Sequence, residues 1–225
     1  MEAIERDSPR PAPAPPPGLI RSRAVARGYD VLNALLWLPG GSDRLRRRFV
    51  ALLDIDPGMR VLELGCGTGL VTRHLLAAGA RVTAVDGSTA MMAVARRRAP
   101  DALFTGVDLS GPDLDETLPT GDFDLAVLSF VLHELDPARR ARLLRVVAER
   151  LGPDGQLGIL DWGVPPSRPR AAAWRFAVRA IEPPVAHDVL DGALDAALAT
   201  AGLVPTADHG LAGHRARALI ATLAR

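Results

Sequence analysis

From Met59 onward, short apolar runs alternate along the chain with amphipathic stretches. This alternation predicts a parallel β-sheet with helices on both faces, because a crossover must return the chain before the next parallel strand begins. The apolar runs predict seven strands, near residues 59–64, 81–86, 102–107, 123–129, 156–161, 203–209 and 215–223. Helices are predicted between them, near residues 68–78, 88–99, 137–151, 171–181 and 187–201.

Capping and turn residues mark the ends of some of these elements. Asp136 and Pro137 are a cap and a first-turn residue for the third predicted helix, and Gly152-Pro153 ends it. The short loop 209–214 makes the last two strands an antiparallel hairpin. The predicted fold is therefore α/β: a Rossmann-like, mostly parallel sheet of seven strands with an antiparallel last strand.

The segments outside this alternation predict the domain organisation. Alternating prolines in residues 1–18 predict a disordered tail. Two helical patterns in residues 19–54 predict an N-terminal helical cap. Residues 164–185, rich in Pro and Arg, follow the fifth strand and are expected to form a lid over the carboxyl ends of the strands. At this length we expect one domain, residues 19–225.

Composition excludes several classes of partner. With a formal charge of +1, the chain lacks the basic field expected of a nucleic-acid-binding protein. All 27 basic residues are arginine, which we attribute to coding bias. Cys66 is the only cysteine, and no apolar run has the length of a membrane span or the character of a signal peptide. These features predict a cytoplasmic protein, either a monomer or a homodimer.

The run Val61-Leu-Glu-Leu-Gly-Cys-Gly-Thr-Gly69 is the strongest chemical signal in the chain. It predicts a buried strand that turns sharply at its glycines, where the backbone approaches a ligand more closely than a Cβ would permit. The third glycine comes one residue too early for the dinucleotide pattern G-x-G-x-x-G, which disfavours a bound pyrophosphate. Asp86 ends the second strand, where a carboxylate can accept both hydroxyls of a ribose.

Three motifs in order resemble the class I S-adenosylmethionine (SAM) methyltransferases: Glu63 to Gly69, Asp86-Gly87-Ser88 with Met91, and Gly106-Val107-Asp108. The resemblance implies SAM as the cofactor and S-adenosylhomocysteine (SAH) as its product. It implies that Glu63 orients the methionine amino group and that Asp86 holds the ribose. In the glycine loop, it implies cofactor contacts for Gly65, Cys66, Gly67 and Gly69. On the adenine side, it implies contacts for Gly87, Ser88, Met91, Val107 and Asp108. Beside the sulfonium, it implies contacts for Ser129 and Phe130.

His133 is the candidate catalytic residue, in the segment Leu132-His133-Glu134 after the fourth strand. The segment resembles one in which certain small-molecule O-methyltransferases carry a catalytic histidine, and a neutral imidazole can accept a proton from the acceptor. The alternative is a structural histidine that binds the next helix or Glu134. No histidine or cysteine spacing suggests a metal site.

The N-terminal segment around Tyr29-Asp30-Val31 resembles ubiquinone and menaquinone C-methyltransferases and bacterial phospholipid N-methyltransferases. In those families the tyrosine region covers SAM, which implies a cofactor contact for Tyr29. The chain departs from the quinone pattern at Ser129-Phe130-Val131, where an Arg-Asn segment is usual. We therefore expect a methyltransferase acting on a small organic or lipid-like acceptor.

Two alternatives remain open at this point. One is a phospholipid or quinone methyltransferase at the membrane surface, since the apolar run Leu35–Leu38 lies next to the basic run Arg44–Arg48. The same pattern also fits a helix that only caps the sheet and exposes its basic face to solvent. The other alternative is a non-catalytic SAM-binding protein with the methyltransferase fold.

Overall fold

The computed structural model describes residues 41–224. The predicted tail, the first part of the helical cap and Tyr29 lie outside the described residues, so those predictions stay untested. The described part contains one mixed sheet of seven strands with helices on both faces. The strands are β1 Arg60–Leu64, β2 Arg81–Asp86, β3 Leu103–Gly106, β4 Phe123–Ser129, β5 Leu151–Trp162, β6 Leu203–Leu211 and β7 Ala216–Leu223.

The strand order confirms the predicted fold. It is β3-β2-β1-β4-β5-β7-β6, with parallel pairing from β3 through β5 and antiparallel pairing of β7 with both β5 and β6. Because β1 and β4 are neighbours in space but not in sequence, the chain reverses its direction of winding between them. Ligands of open α/β sheets bind in the crevice beyond the carboxyl ends of strands at such a point.

Seven α-helices connect or flank these strands within residues 41–224. They are α1 Gly41–Val50, α2 Leu70–Ala77, α3 Thr89–Arg98, α4 Leu114–Thr117, α5 Pro137–Ala148, α6 Arg168–Ile181 and α7 Ala193–Thr200. Short 3₁₀ turns lie at Leu132–Glu134, Pro184–Ala186 and Asp188–Asp191.

Two element boundaries differ from the predicted ones. β5 begins at Leu151, not near residue 156, because Leu151 already pairs with Phe123 before an irregularity shifts the register to Gln156 and Leu125. The predicted helix over residues 187–201 is a 3₁₀ turn followed by α7. Gly192 separates the two with φ 94°, which a continuous right-handed helix does not accommodate.

The sheet separates two apolar cores, as alternating side chains on buried strands require. On one face, Val61 and Val127 pack with Phe49 of α1. On the other face, Leu62 and Leu128 pack with residues of α5 such as Leu143. The strands are therefore fixed from both sides, and their carboxyl ends provide a rigid edge for the loops that follow.

Helix α1 packs its apolar face into the first core, with Leu45, Phe49 and Val50 buried. Arg46 is also buried, whereas Arg44, Arg47 and Arg48 lie on the exposed side. The described part of the basic run is thus a sheet-capping helix with a solvated face. None of the helices in residues 41–224 is long and apolar enough to cross a membrane.

Candidate active site

The glycine corner joins β1 to α2 through hydrogen bonds to the neighbouring strand. The amides of Gly65 and Cys66 both donate to the carbonyl of Val85, at 2.8 and 3.0 Å. Gly65 has φ 71°, and a Cβ there would collide with the side chain of Val131. Gly69 has φ 78°, and its Cβ would lie 3.0 Å from Ala95. The glycines are therefore required both by the backbone conformation and by close packing.

Asp86 joins the glycine loop to the start of α3. Its Oδ2 accepts a hydrogen bond from the amide of Gly67 at 2.8 Å, and its Oδ1 accepts one from the amide of Ser88 at 2.7 Å. Burial raises the pKa of Asp86, and the two amides offset part of that effect. Each carboxylate oxygen retains a second lone pair, so the group can still accept hydrogen bonds from a ligand.

Glu63 is buried at the carboxyl end of β1, with 2 % of its surface exposed. Its Oε2 has no hydrogen-bond partner within the described part of the chain. Burial raises the pKa of Glu63 to about 8, the Asp86 carboxylate adds to this effect, and the neighbouring Thr72 and Arg46 reduce it. A buried carboxyl oxygen without a hydrogen-bond partner costs folding free energy. This position is therefore suited to a ligand that brings a cation.

Arg46 reaches the same corner from α1. Its guanidinium lies 5.4 Å from the ring centroid of Phe130 and contacts Ser42. Its charge also acts on Glu63. A buried cation and a buried carboxyl group therefore meet near the end of β4, although the sequence pattern placed Arg46 in an exposed basic run.

The predicted adenine side is formed by the turns after β2 and β3. Ser88 caps α3, accepting a hydrogen bond from the amide of Met91 at 3.3 Å, and both side chains are buried. Asp108 accepts hydrogen bonds from the amide and hydroxyl of Ser110, at 2.9 and 2.7 Å. Val107 packs into the core, so a ligand would meet its backbone and not its side chain.

The end of β4 presents a hydroxyl and a strained aromatic residue. The buried Oγ of Ser129 has no hydrogen-bond partner within residues 41–224. Phe130 has φ 57°, an unusual conformation for a bulky residue, and its amide donates to Leu160 at 2.7 Å. Such strain is commonly found at ligand sites, where it fixes the direction of a side chain.

His133 is paired with Asp161 at the carboxyl ends of β4 and β5. Its Nδ1 lies 2.7 Å from Oδ1 of Asp161, whose Oδ2 accepts a hydrogen bond from the His133 amide at 3.3 Å. Only 3 % of the histidine and 1 % of the aspartate are exposed. Nε2 lies 4.0 Å from Oε2 of Glu182, the residue directly after α6.

The charge state of this pair follows from its surroundings. Burial disfavours the imidazolium, but the charge and hydrogen bond of Asp161 outweigh it and raise the pKa of His133 to about 9. At neutral pH the ring is therefore a cation held by a carboxylate. A general base must be unprotonated, so His133 can act as one only after it loses this proton.

Aromatic rings form a continuous cluster from the end of β4 to the predicted lid. The ring centroids of Phe130 and Trp162 are 5.4 Å apart, those of His133 and Trp162 5.8 Å, and those of Trp162 and Trp174 5.7 Å. Trp174 belongs to α6, and its indole N–H donates to the carbonyl of Gly163 at 2.9 Å. The segment predicted as a lid thus lies against the site; its movement stays a prediction.

Arg140 anchors the segment that carries His133. From α5, its guanidinium donates to the carbonyls of Leu132 and Leu135 at 2.9 and 2.8 Å, and in a bidentate manner to Asp188 at 3.0 and 2.9 Å. The arginine is buried, with 1 % exposed. It therefore fixes both ends of the 3₁₀ turn and ties this turn to the loop that follows α6.

Comparisons with known proteins identify the family of this chain. A family model described as a methyltransferase domain matches residues 62–157. The demethylmenaquinone methyltransferase of Beutenbergia cavernae is 36% identical over 168 residues, which cover 73% of this chain and 66% of that protein. The demethylmenaquinone methyltransferase of a Parafrankia species is 37% identical over 185 residues, with 73% and 70% covered.

The chain belongs to the class I SAM-dependent methyltransferases. Solved structures show the same fold in this superfamily. A TehB-like SAM-dependent methyltransferase from Corynebacterium glutamicum superposes with a TM-score of 0.65 at 19% identity, covering 89% of this chain and 98% of that one. The magnesium protoporphyrin IX methyltransferase of Synechocystis, with bound SAH, gives a TM-score of 0.62 at 19% identity, with 81% and 83% covered.

The methyltransferase has a donor set that fits SAM. Among the described residues, neither Oε2 of Glu63 nor the buried hydroxyl of Ser129 has a hydrogen-bond partner, so the one can accept from an ammonium and the other can bind a polar group. Asp86 keeps acceptor capacity for ribose hydroxyls beside the glycine loop. Cys66, like Val107, offers at most its backbone to a ligand, because its side chain packs in the core, where burial raises the pKa of the thiol.

Sequence reasoning missed three residues of this site. Asp161 lies at the end of the strand next to β4, 28 residues after His133, and nothing in the local sequence pairs the two. Arg46 is hidden in a run of arginines, and the fold alone selects which of them is buried. Arg140 lies on the face of α5 that packs inward, where the apolar stripe gave no reason to expect a charge.

Proposed function

We propose that this methyltransferase transfers the methyl group of SAM to a small aromatic or lipid-like acceptor of the quinol type. The observation that carries the proposal is the buried carboxyl group of Glu63, whose Oε2 has no hydrogen-bond partner within residues 41–224, together with Asp86 and an aromatic cluster that starts at Phe130. The named relatives are demethylmenaquinone methyltransferases, which supports this acceptor class.

Each end of the cofactor has a matching group in this arrangement. Glu63 would hold the methionine ammonium, Arg46 its carboxylate, and Asp86 the ribose hydroxyls. SAM supplies an electrophilic methyl group when it is bound. Because positive charge on sulfur is lost in the transfer, the protein needs mainly to align donor and acceptor and to exclude water. The rings of Phe130 and Trp162 would supply apolar surface for this.

The acceptor must also lose a proton when it is a hydroxyl or a ring carbon. His133 would take it as a general base, with Asp161 orienting the ring and stabilising the cation that forms. The base must first be neutral, and its pKa of about 9 sets that condition.

Isothermal titration with SAH tests the donor half of the proposal. Binding at micromolar concentration is expected, and no binding at high micromolar concentration would overturn it. Incubation with methyl-labelled SAM and a reduced short-chain demethylmenaquinone, beside simple naphthols and catechols, tests the acceptor half. A protein that binds SAH but labels none of these acceptors would be a binding protein, the non-catalytic alternative.

The pH profile of turnover distinguishes the two roles of His133. As a base, it should give a kcat that rises up to about pH 9, and His133→Ala should lower kcat by roughly two orders of magnitude or more. As a structural residue, it should leave the profile flat over this range and His133→Gln close to wild type. The SAH affinity of each variant, measured alongside, shows whether the cofactor site has stayed intact.

A further inference from the structure

The outward face of α6 has an unusual composition for a helix surface in contact with water. Every exposed residue of this helix is either an arginine or an apolar residue, namely proline, alanine, phenylalanine or isoleucine. Phe176 is 78% exposed, the largest value among the exposed large hydrophobic side chains of residues 41–224. A surface helix normally turns polar residues of both charges to solvent, so this face is suited to a partner.

The opposite side of α6 packs on the protein. Ala171 and Val178 are buried, and Trp174 belongs to the aromatic cluster beside the candidate active site. At about 100° per residue, Phe176 lies about 160° around the helix from both Trp174 and Val178. The outward face is therefore separate from the face that contacts the active site.

Apolar residues surround Phe176 on this face. Helical spacing places Pro169, Ala172, Ala173 and Ala180 within one turn-width of it around the helix axis, and we call these five residues the α6 stripe.

Arginines flank the α6 stripe on both sides. The same spacing places Arg168 and Arg179 on one side of Phe176 and Arg170 on the other. The stripe is thus an apolar surface between two rows of cations.

The charge on this face is positive. Helix α6 contains no acidic residue. Arg175 and Arg179 share Asp191 of the following turn, at 3.4 and 3.2 Å. Arg168 and Arg170 are exposed and have no ion pair within residues 41–224. Two cations of the outward face are therefore available to an anionic partner.

An apolar stripe between arginines is typical of a helix that lies in the surface of an anionic membrane. The aromatic ring reaches the acyl boundary, and the guanidinium groups reach the lipid phosphates. An isologous contact with a second copy would instead bring arginines of the two chains together, which charge repulsion disfavours. Residues 1–40 contain five arginines and four acidic residues, so this segment lacks the complementary charge.

We infer that the α6 stripe docks this protein on the surface of an anionic membrane. Phe176 inserts at the lipid interface, and Arg168 and Arg170 bind lipid phosphates. The choice of a membrane rests on the proposed function, because a lipid-like quinol is held in a bilayer. Since a helix is about 10 Å thick, docking through this face brings the aromatic cluster behind Trp174 to within about that distance of the bilayer.

Sedimentation of the full-length protein with vesicles tests this inference. Vesicles of phosphatidylcholine and phosphatidylglycerol in equal parts should bind it roughly tenfold more tightly than pure phosphatidylcholine, and rising salt should weaken the binding. Phe176→Ser should lower the affinity for the mixed vesicles roughly tenfold, because the exposed ring supplies most of the apolar area. Arg168→Gln and Arg170→Gln should each lower it about fivefold.

Two variants outside α6 are the matched controls. Leu103→Ser removes a large side chain that is 70% exposed on the edge strand β3. Arg97→Gln removes an exposed cation of α3. Both should bind the mixed vesicles as the wild type does.

A fluorescent label shows which face meets the lipid. Cys66 is buried, so an environment-sensitive dye can be attached to the Phe176→Cys variant or to the Leu103→Cys variant. The dye at position 176 should brighten and shift to shorter wavelength when mixed vesicles are added. The dye at position 103 should not change.

Several outcomes overturn the inference. One is a wild type that does not bind the mixed vesicles. Another is binding that Phe176→Ser leaves unchanged, which would place the membrane contact elsewhere, such as the run Arg44–Arg48. A dimer that Phe176→Ser converts to a monomer would assign the stripe to a second copy. Loss of thermal stability in Phe176→Ser, without vesicle binding by the wild type, would assign it to residues 1–40.

Vesicle binding is measured without cofactor or acceptor, so its outcome is distinguishable from that of the proposed function. A protein that methylates a soluble short-chain quinol but does not bind vesicles keeps the proposed function and loses the membrane surface. Vesicle binding that depends on Phe176, in a protein that binds no SAH, supports the membrane surface and removes the methyltransferase proposal.

Discussion

At the scale of single residues, burial raises the pKa of Glu63 to about 8, so this carboxyl group keeps its proton at a pH where an ordinary glutamate is ionised. In the ligand-free protein at pH 7 it is therefore mostly neutral. An ammonium group bound beside it favours the ionised form, so binding of SAH should release a proton.

Calorimetric titration of SAH at pH 7, in buffers of different ionisation enthalpy, should show close to one proton released, roughly the fraction that a pKa of about 8 leaves bound. The release should vanish at pH 9.5, where Glu63 is already ionised. Glu63→Gln should abolish it, whereas Glu149→Gln on the exposed end of α5 should not. Proton uptake in the wild type would contradict this assignment.

The ion pair of His133 with Asp161 should also affect the free energy of unfolding. Its pKa is raised to about 9 in the folded protein from an ordinary value of 6.5. The stabilisation from the His133–Asp161 pair is thus fully present below pH 6.5 and is lost as pH rises through 9.

Chemical unfolding at pH 6 and pH 10 measures this loss. The difference in unfolding free energy between wild type and His133→Gln should shrink by roughly 3 kcal/mol over this range, since each pKa unit corresponds to about 1.4 kcal/mol. His209→Gln, at an exposed position of β6, is the control and should show the pH dependence of wild type. A difference that stays constant with pH would mean that the pair does not exist in solution.

At the scale of elements, α5 carries two adjacent arginines with different surroundings. Arg140 is buried and binds two carbonyls and Asp188, while Arg139 is exposed and pairs with Asp136, the cap of the same helix, at 3.3 Å. The buried arginine holds the turn of His133 in place, so the fold and the site depend on it together.

Replacing each arginine by methionine tests that difference with nearly equal side-chain length. Arg140→Met should lower the free energy of unfolding by roughly 2–4 kcal/mol, because two carbonyls and a carboxylate lose their donor. Arg139→Met should cost less than about 1 kcal/mol, as exposed ion pairs do. Urea unfolding followed by circular dichroism measures both, and equal costs would refute the assigned role of Arg140.

At the scale of the whole molecule, cofactor binding should stabilise the entire fold, because the proposed site combines the glycine corner, Asp86 and Arg46 of α1. SAH at a hundred times its dissociation constant adds about 2.7 kcal/mol, which for a chain of this size raises Tm by roughly 5–10 °C. Differential scanning fluorimetry should show this shift in wild type and a smaller one in Asp86→Asn. NAD should give no shift, and an equal shift with NAD would indicate a dinucleotide site.

The sequence by itself determined the sheet, the glycine corner and the positions of Glu63, Asp86 and Asp108, because strand periodicity and turn chemistry are local properties. It also placed His133 correctly after β4 but left its role open. The tertiary structure decided what only distant segments can bring together: Asp161 against His133, Arg46 against Phe130 and Glu63, and Arg140 under the turn between them. Burial and charge depend on which strands become neighbours, so the raised pKa values of Glu63 and His133 arise only in the folded chain.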